Sequence, residues 1–465
     1  MSGQTMKLTQ SILEQVSAFV WGPLTMILLL GTGFFLTAGL KAMPWRRLPE
    51  ALRLLFSKET GDTARGDGEI SPFKALMTAL SATVGTGNIA GVATAIHLGG
   101  PGAIFWMWMT ALLGMATKYG EAVLAVKYRE VDEDGRYLGG PMYYIKNGLG
   151  HKWAWLGSLF AIFAICAAFG AGSTVQANSL ADIAQDQLGI SKYIVAIVLC
   201  LLVGMVLIGG VQRIATVAGR LVPFMVVCYI GGSLIVLGMY AGEIPAALTL
   251  IVTDAFTGTA ATGGFAGAGI AAAIRFGVAR GIFSNEAGLG SAPIAHAAAK
   301  TNDPVKQGAI GMLGTFIDTI LVCSMTALVI LVTGVWKTGE TGVPLTAAGF
   351  DAGFAGGGYV VTFSLMIFAF TTILGWSLYG ERCVEYLFGP KAIVPFKFIY
   401  VAAVAVGAVV GLDLVWLFAD ITNGLMAIPN LLALLLLSPV IFRITNERLA
   451  GDRMLAEQPA EHTEK

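Results

Sequence analysis

The sequence predicts an all-α polytopic membrane protein, and three observations support that prediction. Of the 465 residues, 56% are hydrophobic and only 12% are charged, and the mean hydropathy is +0.74. Apolar runs of roughly twenty residues, the length that crosses a bilayer as a helix, recur along the whole chain. Two of these runs are interrupted by glycine and polar residues. This composition is typical of a protein with many membrane spans and excludes an ordinary soluble enzyme.

The apolar runs predict about eleven transmembrane helices. The predicted helices span 17–40, 72–97, 101–128, 153–186, 192–210, 215–240, 264–298, 306–335, 357–387, 393–411 and 414–442. The stretch 243–262 is long enough for an additional short interfacial helix.

The basic residues test this count, because the cytoplasmic loops of membrane proteins carry an excess of lysine and arginine. With the N-terminus outside, 24 of the 29 basic residues fall in inner segments and three fall in outer segments. Arg275 and Arg280 remain at membrane depth. We therefore expect an odd number of helices in the plasma (inner) membrane, with the N-terminus outside and the C-terminus cytoplasmic.

The first interruption lies in the second predicted helix, in the stretch Ser81–Gly91. Glycines together with threonine and asparagine weaken a helix, since their side chains compete for the backbone hydrogen bonds. We expect the helix to come undone near Gly85 to Asn88. Within a bilayer, non-helical backbone persists only where protein, water or a ligand satisfies it, so this break is a candidate binding site. The alternative is a glycine-rich helix face that packs tightly against a neighbour.

The second interruption, at residues 277–291, lies in the seventh predicted helix and favours the binding-site interpretation of the first. The seventh helix comes five helices after the second, so the halves begin on opposite sides of the membrane. Paired interruptions of this kind indicate an inverted-repeat transporter with its site at the bilayer midplane. The predicted organisation is an N-terminal segment 1–16 (outside), an additional helix 17–40, a cytoplasmic linker 41–71, a first repeat 72–240, an outer loop 241–263, a second repeat 264–442 and a cytoplasmic tail 443–465.

Broken helices suit a zwitterionic substrate. Half-helix N-termini offer free N–H groups to a carboxylate, and half-helix C-termini offer free carbonyls to an ammonium group. The N–H groups near Gly85 to Asn88 and the carbonyls near Gly281 to Phe283 are the respective candidates. Unwound carbonyls together with threonine hydroxyls also form oxygen cages that suit Na⁺.

Three further polar or aromatic side chains lie in apolar helices. Gln176 follows a patch of small residues, and it either binds substrate or joins two helices by a hydrogen bond. Thr372 and Trp376 lie one turn apart on the same face of the ninth helix. They either form the wall of a small pocket or make ordinary packing contacts.

Ionisable groups at membrane depth are costly and usually functional. Five such residues are Glu121, Arg280, Glu286, Asp318 and Glu381. Glu286 lies within the second interruption, where it either orients the unwound segment or couples an ion. Arg275 and Arg280 either pair with acids to hold the inner gate or extend towards the membrane surface.

Other classes of function fit less well. The 29 basic and 29 acidic residues balance, so no nucleic-acid partner is expected, and the scattered cysteines and histidines predict no cofactor. The stretch 83–87 resembles a potassium selectivity filter. A channel would need four copies around one pore, each with surplus helices. A membrane enzyme would need a catalytic arrangement that is not evident at membrane depth.

Several segments of the chain resemble the alanine or glycine:cation symporter family. They are Ser-Ala-Thr-Val-Gly-Thr-Gly-Asn-Ile-Ala-Gly-Val (81–92), Gly-Gly-Pro-Gly-Ala-Ile-Phe-Trp-Met-Trp-Met (99–109), Lys-Tyr-Gly-Glu (118–121), Gly-Gly-Pro-Met-Tyr-Tyr-Ile (139–145), Phe-Ser-Asn-Glu-Ala-Gly-Leu-Gly-Ser (283–291) and Gly-Trp-Ser-Leu-Tyr-Gly-Glu (375–381). The resemblance runs from about residue 15 to residue 440. It implies a leucine-transporter-like fold and sodium-coupled import of alanine or glycine by alternating access. A proton-coupled amino-acid permease is the main alternative, and a cation channel is a lesser one.

The resemblance also implies roles for individual residues. Thr86, Gly87, Asn88 and Gln176 would hold the substrate carboxylate, and Phe283 with Ser284 would receive the ammonium group. Thr372 and Trp376 would close the pocket around a small side chain. The implied sodium ligands are Ala82, Thr83, Gly85, Thr371 and Thr372, and the coupling or gating candidates are Glu286 and Arg280. Oligomeric state is not predicted.

Overall fold

The structure, a computed structural model, describes residues 3–58, 60–61, 63–257, 266–410 and 413–457. The helices are α1 Gly3–Val20, α2 Pro23–Gly39, α3 Met43–Arg46, α4 Leu48–Leu55, α5 Pro72–Thr83, α6 Val92–Gly99, α7 Ala103–Lys127, α8 Pro141–Tyr144, α9 Ala154–Ala167, α10 Val175–Leu188, α11 Lys192–Ile208, α12 Gly210–Met239, α13 Ile244–Thr257, α14 Ala266–Asn285, α15 Ala292–Ala297, α16 Pro304–Thr315, α17 Ser324–Val332, α18 Gly342–Gly353, α19 Gly357–Phe388, α20 Ile393–Val409 and α21 Asp413–Glu457. Two short strands, β1 Glu130–Val131 and β2 Tyr137–Leu138, pair antiparallel.

The prediction of an all-α polytopic membrane protein is confirmed. In the described part of the chain, seven helical segments are long and apolar enough to cross a membrane, or eight if α5 and the bent segment after it count as one span. The count of eleven therefore stays a prediction. Each predicted span nevertheless contains one or more helices in the described part of the chain, including α7, α11 and the pair α14 and α15.

Several elements differ in extent from the prediction. The N-terminal segment 1–16 is helical from Gly3, and α13 occupies most of the stretch 243–262. Helix α18 forms between the predicted spans 306–335 and 357–387, where no helix was predicted. Residues 258–263 of the predicted outer loop, residues 264–265 of the seventh predicted helix and residues 458–465 of the tail lie outside the described residues.

Four helical stretches are widened to π-helical geometry. They are Gly87–Gly91, Ile145–Leu149, Ala168–Thr174 and Phe316–Cys323. Widened turns of this kind interrupt the regular backbone ladder and occur often at functional sites. Two of the four, Gly87–Gly91 and Ala168–Thr174, contribute residues to the cavity described next. Phe316–Cys323 is hydrogen-bonded to the first of these through Asp318.

Glycines let the helices around this site approach closely. A Cβ placed on Gly277 would lie 2.3 Å from the Ala103 carbonyl, and one on Gly281 would lie 2.4 Å from Thr110 Oγ1. Helices α14 and α7 therefore pack backbone against side chain, as small residues allow within membranes. This close packing fixes the N-terminal half of the seventh predicted helix against its neighbour.

Candidate functional site

The first helix break occurs at the predicted place. Helix α5 ends at Thr83, Val84 has an extended conformation, and the chain becomes helical again from Gly87. The two helical halves are bent by 55° at this point. Because the first N–H groups of a helix have no partner within it, the turn at Thr86 and Gly87 presents donors beside the break.

Asn88 stabilises the break instead of facing the cavity. Its Oδ1 accepts a hydrogen bond of 2.8 Å from the Gly85 N–H. Its Nδ2 donates to the Asp318 carboxylate at 2.7 Å. Both polar atoms of the buried Asn88 amide are thus occupied within the protein, so the predicted contact with a substrate carboxylate has no support from the geometry.

The second break starts later in the chain than predicted. Helix α14 runs without interruption to Asn285, and Glu286 then adopts a left-handed backbone conformation with a φ of 55°. The Glu286 N–H bonds to the Ile282 carbonyl at 2.8 Å. That carbonyl is therefore occupied, and the candidate acceptors move from Gly281 and Ile282 to the last turn of α14, which includes Phe283.

The second break is held by buried side chains. Glu121 Oε1 accepts hydrogen bonds from the N–H groups of Gly288 at 3.1 Å and Gly290 at 3.2 Å, and from Asn430 Nδ2 at 2.7 Å. Ser291 donates to the Glu286 carboxylate. An unpaired N–H group costs several kcal/mol in an apolar environment. Glu121 therefore stabilises the unwound segment by pairing two such groups.

The two breaks meet around one small cavity. Its lining consists of Ala82, Thr83, Gly85, Thr86, Gly87, Ala171, Gln176, Phe283, Glu286, Thr372, Trp376 and Asn423. A Cβ placed on Gly87 would lie 3.1 Å from Ser284 Cα, so the backbones of the two breaks are in close contact. The free space is about 10 Å³, roughly what one water molecule needs. Binding of an amino acid therefore requires the lining to widen.

Most of the predicted substrate and sodium residues border this cavity, and three do not. Of the predicted substrate residues, Asn88 and Ser284 lie outside the lining. Ser284 donates instead to Asp318 at 2.8 Å. Of the predicted sodium ligands, Thr371 lies outside, because its hydroxyl donates to the Ile367 and Phe368 carbonyls at 3.0 Å.

Two unpaired acceptor atoms belong to the cavity lining. Gln176 Oε1 and Asn423 Oδ1 are buried and have no hydrogen-bond partner among the described residues. The Gln176 nitrogen is already engaged, donating to Thr86 Oγ1 at 3.2 Å and to the Ala171 carbonyl at 3.0 Å. The sequence analysis missed Asn423. An asparagine within an apolar span was the available signal, because polar groups at that depth are costly unless they are paired or functional.

Thr372 and Trp376 both border the site from α19, and each lies against a glycine of a different segment. Thr372 Oγ1 donates to Phe368 O at 2.9 Å, and a Cβ placed on Gly85 would lie 2.7 Å from that hydroxyl. A Cβ on Gly172 would lie 2.4 Å from Trp376 Cβ. The two glycines therefore determine how closely the walls approach the cavity.

Arg280 lies one helical turn before Phe283, on the N-terminal side of the second break. Its Nη2 lies 3.4 Å from Asp420 Oδ2 at the start of α21, and its guanidinium lies over the Phe283 ring at 5.6 Å. Under the predicted orientation this is the outer side of the site, because α14 starts outside. Arg280 thus pairs with an acid, as one of its two expected roles requires, and the side of the membrane on which this pair lies stays a prediction.

An ion network closes the other side of the bundle. Arg382 pairs with Glu385 at 2.9 Å and with Glu69 at 3.3 Å, and Arg136 of the β hairpin pairs with Glu385 at 3.0 Å. Burial raises the pKa of the Glu69 carboxyl, and the charge of Arg382 opposes that rise. Under the predicted orientation, Arg280 with Asp420 and this network therefore lie on opposite sides of the site.

A buried cation lies close to the second break. Lys118 is 3% exposed, and its Nζ has no hydrogen-bond partner among the described residues. Its charge acts on three buried acids, Glu121, Glu286 and Asp318. Lys118 therefore balances part of the negative charge that the two breaks bring into the membrane.

Comparison with known proteins identifies the family. Residues 6–460 match the model of the sodium:alanine symporter family. The chain is 52% identical over 437 residues to the sodium/alanine symporter AgcS of Methanococcus maripaludis, an alignment that covers 93% of this chain and 95% of that protein. It is 50% identical over 442 residues to an uncharacterized transporter of Haemophilus influenzae, covering 96% of that protein, and 39% identical over 458 residues to the probable sodium/glutamine symporter GlnT of Bacillus subtilis, covering 93%.

The match extends over both breaks and over the closing network, so the family assignment applies to the whole architecture and not to one motif. It confirms the resemblance noted in the sequence and identifies a multi-pass membrane transporter that couples amino-acid movement to a cation. The chain belongs to the sodium:alanine symporter family.

Proposed function

We propose that this protein imports alanine and glycine together with Na⁺ by alternating access in the plasma (inner) membrane. The observation that carries the proposal is the closed cavity at which the two helix breaks meet, with Gly87 against Ser284. One related protein is named a sodium/alanine symporter, and another is named a probable sodium/glutamine symporter. The orientation predicted from the basic residues places the N-terminus outside and the C-terminus in the cytoplasm.

The substrate carboxylate is assigned to the N–H groups of Thr86 and Gly87, where the second half of the broken helix begins. The positive end of that helix dipole favours an anion there. The ammonium group is assigned to acceptors, namely the last carbonyls of α14 near Phe283 and the unpaired oxygens of Gln176 and Asn423. Gln176 thereby changes from the predicted carboxylate ligand to an ammonium ligand, because its nitrogen is already engaged.

The sodium ion is assigned to the carbonyls of Ala82, Thr83 and Gly85 with the Thr372 hydroxyl. Sodium is a hard ion that prefers oxygen ligands, and backbone carbonyls at a helix break supply them. Thr372 Oγ1 lies 3.4 Å from the Val84 carbonyl oxygen, so this hydroxyl lies next to the carbonyls of the first break. Thr371 is left out of this set because its hydroxyl bonds within α19.

The architecture proposed for this transport is a leucine-transporter-like 5+5 inverted repeat preceded by the additional helix α2. The repeats would comprise 72–240 and 264–442, each beginning with a broken helix. Helices at each predicted position and a break in each first helix support this organisation. In this mechanism Arg280 with Asp420 controls the outer side and the Glu69–Arg382–Glu385 network the inner side.

Proton coupling is the second candidate function. The observation that favours it is the group of buried acids at the breaks, Glu121, Glu286 and Asp318, all below 4% exposure. One relative, 40% identical over 442 residues, is named a putative sodium/proton-dependent alanine carrier protein. In this alternative Glu286 would carry the transported proton, since it lines the cavity.

Uptake into proteoliposomes tests the proposal. Radiolabelled alanine should accumulate under an inward Na⁺ gradient and fail to accumulate when K⁺ replaces Na⁺. Accumulation under an inward proton gradient without Na⁺ would support the second candidate and contradict the first. No accumulation under either gradient, from protein that retains a cooperative thermal transition, would contradict both. Glycine in excess should compete with alanine, whereas glutamine should not if the pocket is small.

A further inference from the structure

A long apolar groove runs along the membrane face of the bundle, between α2, α7 and α14. Its volume is about 750 Å³, far larger than that of the central cavity. The lining includes Met26, Ile27 and Gly31 of α2, Leu113 of α7 and Ile274 of α14. The groove is separate from the transport site, since the two have no lining residue in common. It therefore needs its own explanation.

One charged residue, Arg275, lines this otherwise apolar groove. Its side chain is exposed, and its guanidinium lies 5.6 Å from the centre of the neighbouring Phe276 ring. Arg275 has no ion pair within the described part of the chain, whereas Arg280, five residues later, pairs with Asp420. An arginine at the membrane face without an acidic partner is costly unless its charge reaches the interface or meets an anion.

The depth of Arg275 matches that of a phospholipid phosphate. Arg275 precedes Glu286 by eleven residues of sequence. At ~1.5 Å per helical residue this is about 16 Å along α14. Half of the bilayer hydrocarbon core is roughly 15 Å. If the second break lies at the midplane, as the proposed function requires, the guanidinium reaches the boundary at which phosphate groups lie.

We propose that the groove binds one phospholipid with a net anionic headgroup. Arg275 pairs with the phosphate, and an acyl chain lies along Met26, Ile27 and Leu113. Arginine suits a phosphate because its planar group donates two parallel hydrogen bonds. A zwitterionic headgroup would bring a second positive charge, and no acidic side chain among the described residues lines the groove to receive it. This charge balance selects an anionic lipid.

Two substitutions separate the two halves of the proposed site. Arg275→Gln removes the headgroup contact and leaves the groove open. Gly31→Phe fills the groove, and it should fold, because a Cβ on Gly31 meets no atom within 4 Å. The matched controls are Arg220→Gln, an exposed arginine on α12, and Gly204→Phe, at an equally open position on α11.

Native mass spectrometry of the purified protein measures lipid retention directly and does not depend on transport. Protein in detergent receives dioleoyl phosphatidylglycerol or dioleoyl phosphatidylethanolamine at equal concentration. The wild-type protein should retain the anionic lipid at least fivefold more than the zwitterionic one. Arg275→Gln should abolish this preference, and Gly31→Phe should reduce the retention of both lipids. Both control variants should behave as the wild-type protein.

Equal retention of the two lipids by the wild-type protein would overturn the assignment of an anionic headgroup. Unchanged retention in Gly31→Phe would overturn the placement of the acyl chain. Because retention is measured without a substrate or an ion gradient, these outcomes stay distinguishable from a failure of the proposed transport function. The thermal transition of each variant, recorded in the same detergent without added lipid, shows whether it is folded.

Discussion

The Asn88 side-chain nitrogen donates a 2.7 Å hydrogen bond to the Asp318 carboxylate, which joins the first helix break to the widened segment between α16 and α17. Asp318 also accepts hydrogen bonds of 2.8 Å from Ser284 and from Thr319. The Asp318 carboxylate thus connects its own widened segment, Phe316–Cys323, to the first break and to the C-terminal turn of α14. Movement of any one of these elements should be transmitted to the other two.

The substitution Asn88→Asp should abolish alanine uptake. It replaces a donor by a second carboxylate, so two buried acids would face each other at hydrogen-bond distance. Losing a hydrogen bond to a charged group in this way costs about 1.5–3 kcal/mol. The measurement is sodium-driven uptake in proteoliposomes, together with the thermal transition of the purified variant.

The exchanged pair Asn88→Asp with Asp318→Asn is the control for that prediction. It restores one amide and one carboxylate, so the thermal transition should recover by more than half of the loss. Recovery of stability without recovery of uptake would show that the position of the charge matters for transport. Failure to recover either would contradict the importance of this hydrogen bond.

Gly85→Ala should weaken sodium-dependent uptake at least tenfold. The added Cβ would lie 2.7 Å from Thr372 Oγ1 and would displace the hydroxyl assigned to sodium. Gly91→Ala is the matched control, since a Cβ there meets no atom within 4 Å and the residue has a helical backbone. The measured quantity is the sodium concentration that gives half-maximal uptake. A normal value in Gly85→Ala, with a folded protein, would remove Thr372 from the sodium site.

The first break was predictable from sequence and the second only approximately, for a physical reason. At the first break Gly85 and Asn88 both lie where the helix opens, so local propensity and function coincide. In the second segment Gly277 and Gly281 serve close packing against α7, whereas the opening starts at Glu286. Glycine spacing does not distinguish a packing face from a break, and the segment contains both.

Contacts between residues far apart in the sequence could not be predicted from the sequence alone. The sequence analysis placed Asn88 at the substrate because it lies at the first break and because the family resemblance implies that role. Its actual partner, Asp318, lies 230 residues away, and no pattern in the sequence connects the two. Asn423 and Lys118 reach the site region by the same kind of tertiary contact, so only the folded chain assigns their surroundings.

Asn423→Leu should raise the alanine concentration for half-maximal uptake about tenfold. The asparagine oxygen is buried in the cavity lining without a partner, and leucine keeps a similar volume but removes the acceptor. One hydrogen bond to a charged group contributes about 1.5–3 kcal/mol. Asn178→Leu, on α10 outside the cavity lining, is the control. Unchanged affinity in Asn423→Leu would exclude this oxygen as an ammonium ligand.

Gly172→Ala should shift the substrate preference from alanine towards glycine. The new methyl group would lie 2.4 Å from Trp376 Cβ and would push the indole into the cavity. Trp376→Ala should act in the opposite direction and admit side chains larger than that of alanine. Competition by glycine, alanine and serine against labelled alanine measures both changes. If neither variant alters the order of competition, the wall that limits substrate size lies elsewhere.

Lys118→Met should destabilise the protein, because it removes a buried positive charge that acts on buried acids. Methionine keeps the length of the side chain and removes the charge that acts on Glu121 and Glu286. Lys127→Met, at the exposed end of the same helix, is the matched control and should change stability by less than ~0.5 kcal/mol. Thermal unfolding in detergent measures both. The double variant Lys118→Met with Glu121→Gln removes one acid as well, so it should recover part of the loss. If the Lys118→Met variant unfolds at the same temperature as the Lys127→Met control, the Lys118 charge does not stabilise the second break.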